Sequence, residues 1–145
     1  MNDKLVDLDP RIRAKASIVF DEMKSSQRLK DLGVQDIAIV ETRRSLVKQM
    51  AYYSRSRMSV KDVQYMYKVA GLYPISEAEA KIPNTWTLES KHIEGKAVDF
   101  APMNSQGIWW NAPIEIWEEM GKIGEKHGLK WGGRWETPDR PHFEV

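Results

Sequence analysis

The sequence contains no cysteine among its 145 residues. Without thiolates, the chain can form neither a disulfide framework nor a cysteine-ligated structural zinc site. Any metal ion must therefore be bound by histidine and carboxylate side chains. The chain has only three histidines, which leaves few combinations to consider.

Long apolar runs and a strong net charge are also missing. No stretch approaches the roughly eighteen apolar residues that a membrane span needs, so we expect no stable membrane insertion. The formal net charge is only +1. Because no stripe of clustered lysine and arginine with interleaved aromatics is present, we expect no nucleic-acid partner. Residues 1–10 lack the apolar core of a secretory signal peptide, which predicts synthesis in a cytoplasm.

Length and hydrophobic content are those of one ordinary domain. The chain has 145 residues, of which 41% are hydrophobic, and no repeat or linker divides it. A chain of this size can bury most of its surface on folding. We therefore predict a single, monomeric domain over residues 1–145.

Capping residues and apolar spacing predict an α+β fold. N-cap residues followed by apolar side chains at helical spacing indicate helices, and β-branched or alternating segments indicate strands. The predicted helices run from Pro10 to Leu32, Leu46 to Tyr53, Val60 to Ala70, Ser76 to Lys81 and Ala112 to His127, the last capped by Asn111. The predicted strands lie at Asp36 to Thr42, Ala97 to Phe100, Leu129 to Trp135 and His142 to Glu144, with a turn or hairpin between Met103 and Asn111. This order favours a small antiparallel sheet covered on one face by helices.

Two short segments contain the residues suited to metal chemistry. His92 and Asp99 lie in the first, and His142 lies in the second. Two imidazoles and one carboxylate form a three-ligand set, and catalytic zinc takes three protein ligands and leaves a fourth position for water. Asp139, three residues before His142, is a candidate general base for metal-assisted hydrolysis. We reject His127 as a ligand because it lies at a helix end, where a cation suits the helix dipole.

The wider motifs sharpen this interpretation, since scattered histidine and aspartate are more often structural. The pattern S-x-H-x-x-G-x-A-x-D-F over 90–100, followed by W-G-G-R-W and D-x-P-H-F-E, resembles the LAS-type zinc peptidases. Within that group the chain is most similar to the L-alanyl-D-glutamate peptidases that serve as bacteriophage endolysins. The resemblance covers roughly residues 37–145. Residues 72–89 are predicted to form a long connection, which is longer than the corresponding segment of the related endolysins, so no family position is carried into it.

The resemblance implies a fold, a cofactor and further site residues. The fold would be that of hedgehog domains and D-alanyl-D-alanine peptidases, and the cofactor would be one Zn²⁺ per chain. Arg44, in the element R-S-x-x-x-Q, would hold the scissile carbonyl oxygen or the oxyanion formed from it. Glu144 alternates away from Phe143 and could hold the second ring nitrogen of a ligand histidine. The paired glycines Gly132-Gly133 would let a peptide backbone approach closely, and Trp131 or Trp135 could wall the cleft.

The predicted function is zinc-dependent hydrolysis of the L-alanyl-D-glutamate bond in the peptidoglycan stem peptide. We expect a single catalytic domain to perform it, without a separate cell-wall-binding domain. As in the related endolysins, the enzyme would be made in the host bacterial cytoplasm and act on the wall in the periplasm during lysis. A D-alanyl-D-alanine carboxypeptidase or dipeptidase is the nearer alternative, and a non-catalytic zinc-stabilised binding module is the other. The carboxypeptidase needs a cation for the substrate's terminal carboxylate, for which Lys91, Lys96 and Arg134 are candidates.

Overall fold

The computed structural model describes residues 3–85 and 90–145, and the chain divides into two compact units. Unit 1 comprises residues 1–43 and 94–145, and unit 2 comprises residues 44–93. The single catalytic domain over residues 1–145 stays a prediction. Of the long connection predicted over residues 72–89, the last four residues lie outside the described part of the chain.

Helices and strands alternate along the chain. The helices are α1 (Pro10–Ser25), α2 (Gln27–Asp31), α3 (Leu46–Ser54), α4 (Val60–Val69), α5 (Glu77–Ala80) and α6 (Ile114–Lys126), with short 3-10 helices at Asp3–Asp7 and Gly132–Arg134. The strands are β1 (Asp36–Glu41), β2 (Ala97–Asn104), β3 (Gly107–Ile108), β4 (Lys130–Trp131) and β5 (His142–Glu144). No helix among the described residues combines the length and the apolar character needed to cross a bilayer.

The five strands form the antiparallel sheet of unit 1. Its order is β1-β2-β5-β4, and β3 pairs with the far end of β2. Helices α1 and α6 pack on this sheet through an apolar face: the Phe20 ring stacks on Phe100 with centroids 5.8 Å apart, and Phe143 lies 5.8 Å from Phe100. The predicted α+β class, with helices packed on a small antiparallel sheet, is confirmed.

The predicted first helix is broken in the structure. Sequence spacing favoured one helix up to Leu32, but α1 ends at Ser25 and α2 begins at Gln27. Ser26 adopts an extended conformation, and its hydroxyl accepts a hydrogen bond from the backbone N–H of Leu29. Serine competes for backbone hydrogen bonds in this way, so it caps a new helix instead of continuing the first.

Two boundaries near the C-terminus were also predicted wrongly. The strand expected over Leu129 to Trp135 is reduced to β4, because the chain turns into a 3-10 helix at Gly132. The last long helix begins at Ile114, after Pro113, and not after a cap at Asn111. Proline fixes the extended backbone that precedes the first helical turn here, without a side-chain cap.

Unit 2 is built from α3, α4 and α5. Serine N-caps begin all three helices, as predicted for Ser45 and Ser59, and the same holds for Ser76. Each hydroxyl accepts a hydrogen bond from the backbone N–H three residues on. The helices enclose a small apolar cluster, which consists of Ala51, Val63, Tyr67, Ile75 and Ala80.

Candidate active site

Strand register places two of the predicted ligands side by side. In the antiparallel pair of β2 and β5, Asp99 lies opposite His142, and Val98 lies opposite Phe143. Side chains alternate between the faces of a strand, so the fully buried Val98 and Phe143 point toward the helices. Asp99 and His142 therefore share the other face, with Nδ1 of His142 3.4 Å from Oδ1 of Asp99.

Glu144 orients the ring of His142. Two residues along the same strand, its Oε1 lies 2.8 Å from Nε2 of His142. A carboxylate at this distance favours the tautomer with the proton on Nε2, which leaves the lone pair of Nδ1 directed toward Asp99. The role predicted for Glu144, at the second ring nitrogen, matches this contact.

Carboxylates also control the charge of this histidine. Burial by itself lowers the pKa of His142, but hydrogen bonds to Asp99 and Glu144 and the charge of Asp139 outweigh it and raise the pKa. The field that stabilises a proton on this ring would equally stabilise a divalent cation beside it.

Asp139 lies within reach of the same ring. Its Oδ2 is 3.9 Å from Nδ1 of His142, and about half of its side chain is exposed. Its backbone is fixed at both ends, because its N–H donates to the carbonyl of Gly132 and its carbonyl accepts from the N–H of His142. A partly solvated carboxylate on a fixed backbone is suited to proton transfer.

The paired glycines have a different role from the predicted one. A Cβ on Gly132 would lie 2.5 Å from the carbonyl oxygen of Asp139, and a Cβ on Gly133 would lie 2.1 Å from the Trp131 ring. The space above both glycines is taken by the chain's own atoms. They serve close packing within the 132–139 turn, so their interpretation as an approach for substrate backbone was wrong.

The structure distinguishes the two tryptophans considered for the cleft wall. Trp131 is buried, and its Nε1 donates to the carbonyl of Arg140 at 2.7 Å, so it is a packing residue. Trp135 is 43% exposed, and its ring centroid lies 5.0 Å from that of His142. Trp135 therefore borders the candidate site.

Arg44 is held by side chains of its own unit. Its Nη1 donates to Oε1 of Gln49 at 2.7 Å, and its guanidinium lies 4.9 Å from the ring centroid of Tyr52. Its backbone N–H donates to the carbonyl of His92 at 2.9 Å. Gln49 is fully buried and was given no role from the sequence, although it occupies the last position of the R-S-x-x-x-Q element.

A histidine-aspartate-histidine group with the composition of a zinc site is present among the described residues. Its members are His92 of unit 2 and Asp99 and His142 of unit 1. Two imidazoles and a carboxylate are a donor set that zinc accepts, and the contact of Glu144 with His142 is the kind of outer support such ligands have. His127 contacts Glu22 instead, with Nε2 3.1 Å from its carboxylate.

Comparison with known proteins agrees with this geometry. Residues 83–145 match the family described as D-alanyl-D-alanine carboxypeptidase. A search of curated proteins finds no match to the sequence.

Two solved structures share the fold. The Serratia marcescens L-Ala D-Glu endopeptidase ChiX has a TM-score of 0.59 at 18% identity, over 99% of this chain and 84% of its own. A mutant of the vancomycin resistance D,D-pentapeptidase VanY, in complex with Zn(II), has a TM-score of 0.51 at 19% identity, over 95% of this chain and 72% of its own. The family match lies in residues 83–145, and the two solved structures show that the chain shares the fold of these peptidases.

Proposed function

We propose that the chain is a zinc-dependent endopeptidase that hydrolyses the L-alanyl-D-glutamate bond of the peptidoglycan stem peptide. The coarser statement, a metallopeptidase related to enzymes of peptidoglycan, follows from the family match and the two structural neighbours. The observation that carries the zinc chemistry is the group around His142, where one ring nitrogen faces Asp99 and Asp139 and the other contacts Glu144. The choice of bond rests on the resemblance to L-alanyl-D-glutamate endolysins and on the fold shared with an L-Ala D-Glu endopeptidase.

The proposed mechanism assigns one task to each group. Zinc, bound once per chain by His92, Asp99 and His142, would supply the Lewis acidity that activates water and polarises the peptide carbonyl. Asp139 takes the proton from the attacking water and passes it to the leaving amine. Arg44 donates hydrogen bonds to the oxyanion that develops on the carbonyl oxygen. Glu144 holds His142 in the tautomer in which Nδ1 carries no proton.

The biological setting is part of the same proposal. Resemblance to phage endolysins supports a monomeric enzyme that is made in the host cytoplasm and reaches the cell wall at lysis. The second candidate function is that of a D-alanyl-D-alanine carboxypeptidase. It is favoured by the family description over residues 83–145 and by the fold shared with VanY. Retention of Asp139 and Arg44 argues against a binding module that uses the metal only for stability.

Digestion of purified peptidoglycan tests which bond the protein cleaves. We expect the zinc-loaded protein to release peptides with a new N-terminal D-glutamate and to leave L-alanine on the muramyl residue, as read by mass spectrometry and end-group labelling. A chelator should stop the release, and added zinc should restore it. Free D-alanine as the main product would show that the protein is a carboxypeptidase instead.

A further inference from the structure

A pocket lies beside the proposed base. Its volume is about 360 Å³, and its lining consists of Trp110, Trp117, Pro138, Asp139, Arg140 and Pro141. Trp117 is buried and forms part of the core, whereas Trp110 is 53% exposed. The pocket thus combines a solvent-facing aromatic side chain with a cation and the proposed base, a composition suited to a small polar ligand.

The backbone of Arg140 is fixed while its side chain is exposed. The Trp131 indole donates to its carbonyl oxygen at 2.7 Å, and Pro141 follows it directly. Within the part of the chain that the structure describes, no hydrogen bond or ion pair engages its guanidinium. By contrast, Arg134 donates to Glu118 and Glu125, and Lys96 pairs with Glu94. Two of the cations considered from the sequence for a substrate carboxylate are therefore already paired.

The negative charge around His142 favours a cation near the position of a substrate carboxylate. Three carboxylates, from Asp99, Asp139 and Glu144, lie within 3.9 Å of its ring nitrogens. A divalent cation offsets only two of these negative charges. A peptide with a free carboxylate next to the scissile bond would therefore be repelled unless a further positive charge met it.

We propose that Arg140 binds a free carboxylate of the substrate residue adjacent to the scissile bond, with Trp110 packing against that residue. This inference rests on the proposed peptidase function. A guanidinium forms paired hydrogen bonds with a carboxylate, which gives both affinity and orientation. The carboxylate has two possible sources: the α-carboxylate of a γ-linked D-glutamate or the terminal carboxylate of D-alanine.

Matched substrates separate this role from a structural one. L-alanyl-γ-D-glutamyl-L-lysine peptides are prepared with the glutamate α-carboxylate free or converted to the carboxamide. For Arg140→Gln we expect KM for the acid peptide to rise roughly 10- to 100-fold, since a hydrogen-bonded charge pair is lost, with little change for the amide. Arg140→Lys should recover part of the loss. Arg28→Gln, at an exposed arginine on α2, is the matched control and should leave both peptides unaffected.

A second arm identifies the source of the carboxylate. Acyl-D-alanyl-D-alanine and its C-terminal amide are compared in the same variants. If only this pair is cleaved and only its acid form depends on Arg140, the carboxylate belongs to D-alanine. Equal effects of Arg140→Gln on acid and amide forms, or no effect on either, overturn the proposal for Arg140 while leaving the peptidase function intact.

A binding measurement keeps the two proposals distinguishable. If the zinc-loaded wild-type protein cleaves neither bond, the proposed function fails. Binding of the same uncleaved acid and amide peptides is then measured from the Trp110 indole resonance. A preference for the acid peptide that disappears in Arg140→Gln supports the carboxylate site, and equal affinity for the two peptides in the wild type overturns it.

Discussion

Units 1 and 2 position their candidate active-site residues in different ways. In unit 1, backbone pairing of β2 with β5 fixes Asp99 opposite His142, and a shift of β5 by one residue would turn His142 to the opposite face of the sheet. In unit 2, Arg44 precedes the α3 N-cap, where Gln49 and Tyr52 contact its guanidinium. The position of the two candidate ligands is thus set by the fold itself, whereas the arginine depends on individual side-chain contacts.

The two units also differ in the extent of their apolar cores. Unit 1 has a continuous apolar core between its sheet and helices α1 and α6. Unit 2 has a small apolar cluster next to Arg55, whose largely buried guanidinium donates to the carbonyl of Ile82 and lies 3.8 Å from Glu79. Fewer buried apolar contacts mean a lower cost of local opening. We therefore expect substitutions in unit 2 to alter catalysis through position before they alter global stability.

The largest expected effects on metal content and activity come from two substitutions in unit 1, one at a candidate metal ligand and one at the proposed base. Asp99→Ala should lose the metal and with it all activity, since the carboxylate of the donor set is removed. Asp139→Asn should keep about one zinc per chain but lower kcat by on the order of 10²–10⁴, the usual contribution of general acid–base catalysis. Metal content by atomic emission and turnover on the peptide are measured on the same samples.

Two results would contradict these assignments. The assignment of metal ligands is wrong if Asp99→Ala keeps its full metal content and the alanine variants of His92 and His142 do the same. Near-normal turnover in Asp139→Asn shows that this residue is not the base, and Glu144 then becomes the candidate.

A smaller effect is expected in unit 2, where Arg44 can be removed or merely released. Arg44→Ala should lower kcat by roughly 10²–10³ if it stabilises the oxyanion. Gln49→Met keeps the buried volume but removes the acceptor 2.7 Å from the guanidinium, so we expect a kcat loss of about tenfold or less with nearly unchanged stability. Turnover and urea unfolding are measured for each variant.

The same glutamine-to-methionine change elsewhere in unit 2 is the control. Gln64 lies on α4, and its amide donates to the carbonyl of Ile75, so Gln64→Met removes a different side-chain hydrogen bond of the same unit. Equal kcat in Gln49→Met and Gln64→Met would show that Gln49 does not position Arg44.

Sequence reasoning succeeded where the signal is local. Serine caps predicted the starts of α3 and α4, and the strands that carry Asp99 and His142 were predicted where β2 and β5 lie. It failed where distant parts of the chain decide the outcome. From the sequence, the Gly132-Gly133 pair was interpreted as a place where the substrate backbone approaches closely. In the structure, the positions that their Cβ atoms would take are occupied by Asp139 and Trp131.

The support of Arg44 shows the same limit. Gln49 belongs to the R-S-x-x-x-Q element in the sequence, but only the fold shows that it is buried and hydrogen-bonded to Arg44. The pocket at Arg140 also depends on the distant Trp110 and Trp117, which no local pattern connects to it.

The smallest predicted effect is on stability, and it tests how tightly α6 supports the ligand strand. A Cβ on Gly124 would lie 2.3 Å from the ring of Phe143, directly after His142. Alanine favours a helix over glycine by about 1 kcal/mol, but overpacking a core costs about 1–3 kcal/mol, so we expect Gly124→Ala to be neutral to destabilising by about 2 kcal/mol in urea unfolding. Adding Phe143→Leu provides room for the methyl group, so Gly124→Ala should be less destabilising in that background than in the wild type. If the alanine is equally destabilising in both backgrounds, the contact between α6 and β5 is not the cause, and the strand that carries His142 is not held by this packing.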